Sequence, residues 1–146
     1  MRTFLIFLIN DSYYTLYRNY PKSIYNILNQ IYHLKKDNLT FASNILKSIT
    51  EEIDKEKIDK KLFLKLHKDI PYSKRGSIHI FNNFYLGEIT TMEIKYKYIK
   101  ITSSKDQNYF LESLINFDKR FFVCDFKNGD YFFLSDLVKI SYKLKN

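Results

Sequence analysis

The clearest hydrophobic pattern in the chain is near its start, where Phe4-Leu5-Ile6-Phe7-Leu8-Ile9 runs without a polar alternate. A short unbroken apolar run predicts a strand buried on both faces, and so central in a sheet. Asp11-Ser12-Tyr13-Tyr14-Thr15-Leu16-Tyr17-Arg18-Asn19-Tyr20 follows directly. It predicts a helix over 11–20, capped by Asp11 or Ser12, with Leu16 as its anchor to the core. Pro21 suits the first turn of a second helix, where its missing N–H is not needed. Ile24, Ile27, Leu28 and Ile31 then fall on one helical stripe. A third helix carries Phe41, Ile45, Leu46 and Ile49 after the polar break Lys35-Lys36-Asp37-Asn38.

The charged stretch 51–69 reads as a helix or helix pair. Pro71 and Ser73-Lys74-Arg75-Gly76 read as a turn or loop. Ser77–Phe81 alternates weakly, as a strand does. Met92, Ile94, Tyr96 and Tyr98 alternate with Glu93, Lys95 and Lys97, and Ile99 and Ile101 then appear in the opposite phase. That shift predicts a bulge, or a strand passing from half-buried to more buried. Ser104-Lys105-Asp106-Gln107 matches a capping box for a helix bearing Phe110, Leu111, Leu114 and Phe117. Residues 120–126 form a strand, Asn128-Gly129 predicts a type I′ hairpin turn, and Tyr131–Leu134 pairs back. These elements predict a single α/β (α+β) domain over 1–146. Its mixed sheet has about four to five strands covered by helices and ends in a C-terminal β-hairpin, with 137–146 as a peripheral tail.

Composition narrows this picture. The 146 residues are 45% hydrophobic and 18% aromatic with only 3 Gly and 2 Pro, which excludes a disordered chain and favours short connections. The net charge is +8. The lysines are spread along the chain and interleaved with acids, as in Glu51-Glu52-Ile53-Asp54-Lys55-Glu56-Lys57, which describes a solvated surface more than a basic patch. A single cysteine, Cys124, permits no internal disulfide and fits a reducing, cytoplasmic setting. It lies in an apolar strand and reads as a small core residue. The N-terminal apolar run is too short to span a membrane, which needs about 20 residues, so no membrane partner is expected.

Catalytic equipment is sparse. His33, His67 and His79 are widely separated and lack neighbouring ligands, so each reads as a surface or partly buried side chain and no metal is expected. Gly76, Gly87 and Gly129 are isolated and form no phosphate-binding loop, so no cofactor is expected. Lys95-Tyr96-Lys97-Tyr98-Ile99-Lys100 interleaves bases with aromatics, as in some single-strand binders. Alternation, however, sends both tyrosines to the core side with Met92 and Ile94. A basic nucleic-acid-binding domain is therefore the alternative reading, and direct nucleic-acid binding is not favoured.

The tyrosine-rich helix at 11–20 remains. Tyr13 and Tyr17 are four apart and share a face, with Tyr20 one turn further. Tyrosine offers a broad apolar face and a hydroxyl at low entropy cost. Periodicity leaves two readings open: tyrosines packed on the sheet, or a partner-binding face.

Two stretches resemble the sporulation inhibitor of replication family, SirA, of spore-forming Firmicutes. One is Phe7–Tyr17 continuing through Ile24-Tyr25-Asn26-Ile27-Leu28. The other runs from Ile99-Lys100-Ile101 through Tyr109-Phe110-Leu111 to Phe121–Phe126 and Tyr131–Leu134. The resemblance covers a little under half of the chain and rests on order and spacing. It implies a small, non-enzymatic α/β protein that binds the N-terminal domain of the replication initiator DnaA and restrains initiation at sporulation. It also implies partner contacts at Tyr13 and Tyr17, a rim position for Tyr20, a packing role for Tyr14, and a third, polar contact near Asn44. The basic charge and Lys-rich end depart from the family pattern.

Overall fold

The computed structural model describes residues 1–34 and 39–137, with the side chains of residues 39–41 left aside. The elements in chain order are β1 (Arg2–Leu8), α1 (Asp11–Tyr17), α2 (Pro21–Tyr32), α3 (Leu39–Ile49), α4 (Lys55–Leu66), β2 (Tyr72–Arg75), β3 (Ile78–Asn83), β4 (Glu88–Ile94), β5 (Ile99–Ser103), α5 (Tyr109–Leu114), β6 (Phe121–Asp125) and β7 (Asp130–Phe133). The strands form one sheet in the order β2-β3-β4-β5-β1-β6-β7. The α+β class matches expectation. The sheet has seven strands where four or five were expected, and every pairing is antiparallel, so it is not mixed.

β1 sits between β5 and β6, as its unbroken apolar run requires. Its side chains alternate between two cores. Phe4, Ile6 and Leu8 enter the first core, against Ile58, Leu62 and Leu66 of α4 and Phe110, Leu111 and Leu114 of α5. Phe7 and Ile9 enter the second, against Ile24, Tyr25 and Leu28 of α2 and Phe122, Cys124 and Phe133. The sheet is therefore sandwiched, with α4 and α5 on one face and α1–α3 on the other. The charged stretch 51–69 contains one helix, whose buried residues recur every four positions.

Several local expectations are corrected. Of the turn or loop expected at Pro71 and Ser73–Gly76, Pro71 and Gly76 do lie in turns, but Ser73–Arg75 belong to the edge strand β2, on which only Tyr72 is buried. The phase shift at Ile99 is no bulge. It is a hairpin, with β4 and β5 joined by Lys95–Tyr98 and Ile94 facing Ile99. Tyr96 is accordingly exposed and bonds to Glu56, while Tyr98 packs beside Phe7 in the second core, so the two do not share the core side with Met92 and Ile94. The helix α5 is capped by Asn108, whose side chain accepts from the Leu111 N–H at 3.1 Å. Ser104 instead bonds the backbone of Ile89 and Gly87. The β6–β7 turn is not type I′, because Gly129 has a positive φ (+67°) and Asn128 does not. Asp125 closes that loop by accepting from both the backbone and the side-chain N–H of Asn128. Leu137 is buried in the first core, so the chain is not peripheral at 137. Residues 138–146, expected to be a tail, lie outside the described residues.

Candidate functional site

The segment after β1 is shaped by its polar ties. Asn10, and neither Asp11 nor Ser12, is the N-cap of α1. Its side chain accepts from the Tyr13 N–H at 2.8 Å and donates to the Ser48 carbonyl at 2.7 Å. The Asn10 N–H donates to the Ile49 carbonyl at 2.9 Å, and Ile9 bridges to Thr50. One side chain thus satisfies an orphan donor of α1 and an orphan acceptor of α3. Beside it, the Arg120 guanidinium contacts Asp118 at 2.9 Å, Glu51 at 2.5 Å and Asp11 at 3.4 Å. Its charge is held well above the ordinary guanidinium range, chiefly by the hydrogen bond to Asp118, with burial opposing.

Because the N-terminal end is held this way, α1 is fixed without a single buried residue. Tyr13 and Tyr17 stack, with ring centroids 4.4 Å apart and planes at 28°. Tyr14 sets its edge against Phe133 at 5.4 Å, with the Lys119 ammonium 5.6 Å from its ring. All three tyrosines are half-buried against the second core. Burial, and secondarily Tyr17, raises the Tyr13 hydroxyl above its ordinary pKa of 10.0, so it stays a neutral hydrogen-bonding group. At about 100° per residue, Leu16 and Tyr14 lie on opposite flanks of the Tyr13–Tyr17 pair. Tyr14 faces the core and Leu16 faces solvent at 68% exposure. The expectation that Leu16 anchors the helix is therefore wrong. Its apolar character is unspent, and sequence reasoning missed it as a surface residue.

Helix α1 ends at Tyr17, so Tyr20 is not one turn further on the same helix. It is the N-cap residue of α2 and 63% exposed. Asn44 is exposed on α3, one turn before the Ser48 held by Asn10. The structure thus brings Tyr13 and Tyr17 into direct contact, sets Tyr20 at the α1–α2 junction, and puts Asn44 on the helix whose end supports the cap of α1.

A second polar constellation lies on the other face of the sheet. His79, expected at the surface or partly buried, is fully buried. Its Nε2 lies 2.7 Å from Asp59 Oδ1 and its Nδ1 2.8 Å from the Tyr72 hydroxyl. The three tie α4, β2 and β3 together, and Tyr72 is itself buried. Cys124 is buried in the second core, and burial pushes its thiol far above its ordinary range, which makes it a poor nucleophile. Among the described residues no group of three His, Cys, Asp or Glu could hold a metal ion, and no helix is long and apolar enough to cross a membrane.

No curated protein sequence matches the chain closely enough to serve as a relative. A family model described as sporulation inhibitor of replication protein SirA matches residues 2–138, nearly the whole chain and every described element. That span includes the stretch 35–90, where the resemblance in sequence is weakest. The chain therefore belongs to the SirA family of sporulation inhibitors of replication.

Proposed function

We propose that this protein is a non-enzymatic negative regulator of chromosome replication that binds the N-terminal domain of the initiator DnaA through the α1 face, acting at sporulation. The observation that carries the reading is the state of α1. The helix is fixed at its N-terminal end by Asn10 and Arg120 and rests on the second core through the half-buried Tyr13, Tyr14 and Tyr17, so part of each ring and most of Leu16 stay open to solvent and a partner. The stacked pair Tyr13 and Tyr17 forms the centre of that face, Leu16 and Tyr20 its solvent side, and Asn44 a polar contact on α3. Stacking fixes the rings before a partner arrives, which lowers the ordering cost of binding. Inhibition would then follow from occupancy, with the partner's surface covered while the complex lasts.

Direct nucleic-acid binding has less support. Tyr96 is engaged by Glu56 and Tyr98 by Phe7, so the Lys95–Lys100 segment offers no row of free stacking rings. The deciding experiment is calorimetric titration of the isolated N-terminal domain of DnaA with the wild-type protein and with Tyr17→Ala. Binding that weakens by about thirtyfold or more, as expected for a truncated aromatic anchor, supports the reading. Unchanged affinity in a folded variant removes this face from the interface.

A further inference from the structure

The helices on the two faces of the sheet differ in charge. Among the exposed residues of α4, only Phe63 and Leu64 are uncharged, as on an ordinary solvated face. The α1–α2 layer is the opposite. Residues 12–34 carry only Arg18 and Lys22 as charges and no acid, in a chain that is 27% charged. Composition does not account for this, because both faces belong to one lysine-rich chain.

The fold gathers the uncharged residues. Ile24, Tyr25 and Leu28 turn α2 toward the second core. At 100° per residue, Ser23, Asn26 and Gln30 fall within about 60° of one another on the opposite side of the helix. All three are exposed, and their side chains make no hydrogen bond to other described residues. The passage from α1 to α2 has no slack. The Tyr20 N–H donates to the Tyr17 carbonyl at 2.8 Å, the Ser23 N–H donates to the Tyr20 carbonyl at 3.0 Å, and Pro21 opens α2. Leu16 and Tyr20 are exposed on the α1 side of this junction, so the uncharged strip runs from α1 onto α2.

We infer that the docking surface extends from α1 across the outer face of α2, where Ser23, Asn26 and Gln30 hydrogen-bond to a protein domain whose own contact surface is poor in charge. The inference rests on the reading that α1 docks the partner. A standard interface takes about 20–30 residues on each side, and α1 has 7, so the contact must continue onto a neighbour. Toward the other end of α1 it would cover Asp11, Glu51 and Asp118, three carboxylates sharing the single Arg120 guanidinium, and desolvating such charges is costly. Toward α2 it covers no acid. Depletion of Lys, Glu and Asp with enrichment of Tyr is also the composition of a protein interface core. A surface of this kind binds with little dependence on salt, unlike one that reads a phosphate backbone.

The test is calorimetric titration with the isolated N-terminal domain of DnaA at about 0.05 and 0.3 M salt. It compares the wild type, Tyr17→Ala and the double variant Asn26→Lys/Gln30→Lys. Lysine is a good helix former, so the double variant should keep the fold, which a matching urea midpoint checks. The expected result is a wild-type affinity that changes less than about threefold with salt, and a loss of about tenfold or more in both variants. A double variant that binds like wild type while Tyr17→Ala does not would confine the interface to α1, overturning this inference and leaving the DnaA reading in place. Steep salt dependence, or tighter binding by the double variant, would mean an acidic partner surface and overturn it as well. So would a wild-type dimer in sedimentation that the double variant disperses, because a second copy would then cover α2. No binding by the wild type would remove the DnaA reading and this inference together.

Discussion

Tyr13 and Tyr17 stack at 4.4 Å, and Leu16, between them in sequence, points away from both the pair and the core. If α1 is the docking face, this separates folding from binding on one helix. The two rings share their area between the second core and solvent, so truncating either disturbs both. Leu16 contributes to neither core. Leu16→Asp should therefore leave stability within about 0.5 kcal/mol of wild type, as surface substitutions do. If α1 is the docking face, the same change places a charge in the interface and weakens partner affinity by about thirtyfold or more. Urea unfolding and calorimetric titration on one preparation measure both effects.

Asn10 makes two bonds that different substitutions can separate. Serine is a comparable N-cap and keeps an acceptor for the Tyr13 N–H, but it is too short to reach the Ser48 carbonyl. Asn10→Ser should cost about 1 kcal/mol, the worth of one ordinary hydrogen bond, and Asn10→Ala about 2. If α1 is the docking face, partner affinity should fall in the same order, because the cap and the tie to α3 together fix the start of α1. Denaturant midpoints paired with titration for the three proteins would check this, and equal stability of Ser and Ala variants would show that the tie to Ser48 contributes and the cap does not.

The parts of this fold that were legible in the sequence are those where one local pattern has one physical solution. Six apolar residues in a row at Phe4–Ile9 can only be buried on both faces, and β1 is central. Strand β2 was not legible, because Ser73, Lys74 and Arg75 are the polar residues that protect an edge and so read as loop. The β4–β5 hairpin was missed because Lys95-Tyr96-Lys97-Tyr98 turns without a glycine, proline or asparagine. Pairings distant in sequence were equally hidden. Nothing near His79 announces Asp59, 20 positions away, nor does the 11–20 segment announce that Ser48 and Arg120 hold it. At the candidate site the tyrosine spacing was visible. The release of Leu16 was not, since it follows from α1 resting on the second core through its tyrosines while Asn10 ties its start, which leaves Leu16 on the outer flank.

Asp125 joins the two ends of the described chain. It is 2% exposed and accepts from Arg2 Nε at 2.8 Å and from Asn128, while Arg2 also reaches Asp106 at 2.9 Å and Asp130 at 3.1 Å. Burial disfavours its charge, but the hydrogen bonds from Asn128 and Arg2 outweigh burial and hold its carboxyl below its ordinary 3.8. Its contribution is thus fully present above pH 3.8 and lost as pH falls through the lower native value. Removing one partner of a buried pair costs about 3–5 kcal/mol. Arg2 keeps two other carboxylates and some solvent, so Asp125→Asn should cost about 2. Thermal unfolding at neutral pH measures the loss, and the variant should also lose less stability than wild type on acidification.

His79 makes the stability of the fold depend on pH above the carboxylate range. Burial holds its imidazole below the ordinary 6.5, the carboxylate of Asp59 partly opposes this, and Lys74 across the strand pair reinforces it. A lowered native value means that below pH 6.5 the unfolded chain takes up a proton that the native state refuses. Stability is therefore at its full value above about pH 6.5 and falls as the pH drops toward the native value, with a slope of at most about 1.4 kcal/mol per pH unit from this one group. His33 and His67 are exposed, so His79 is the buried imidazole of the three. Urea unfolding at pH 7.5 and pH 5.5 should show the wild type losing stability at the lower pH. His79→Gln, which cannot titrate, should start less stable because Asp59 and Tyr72 lose their shared partner, and should show a flatter dependence over the same interval. An equally steep dependence in the variant would move the effect to another group and leave His79 with a packing role alone.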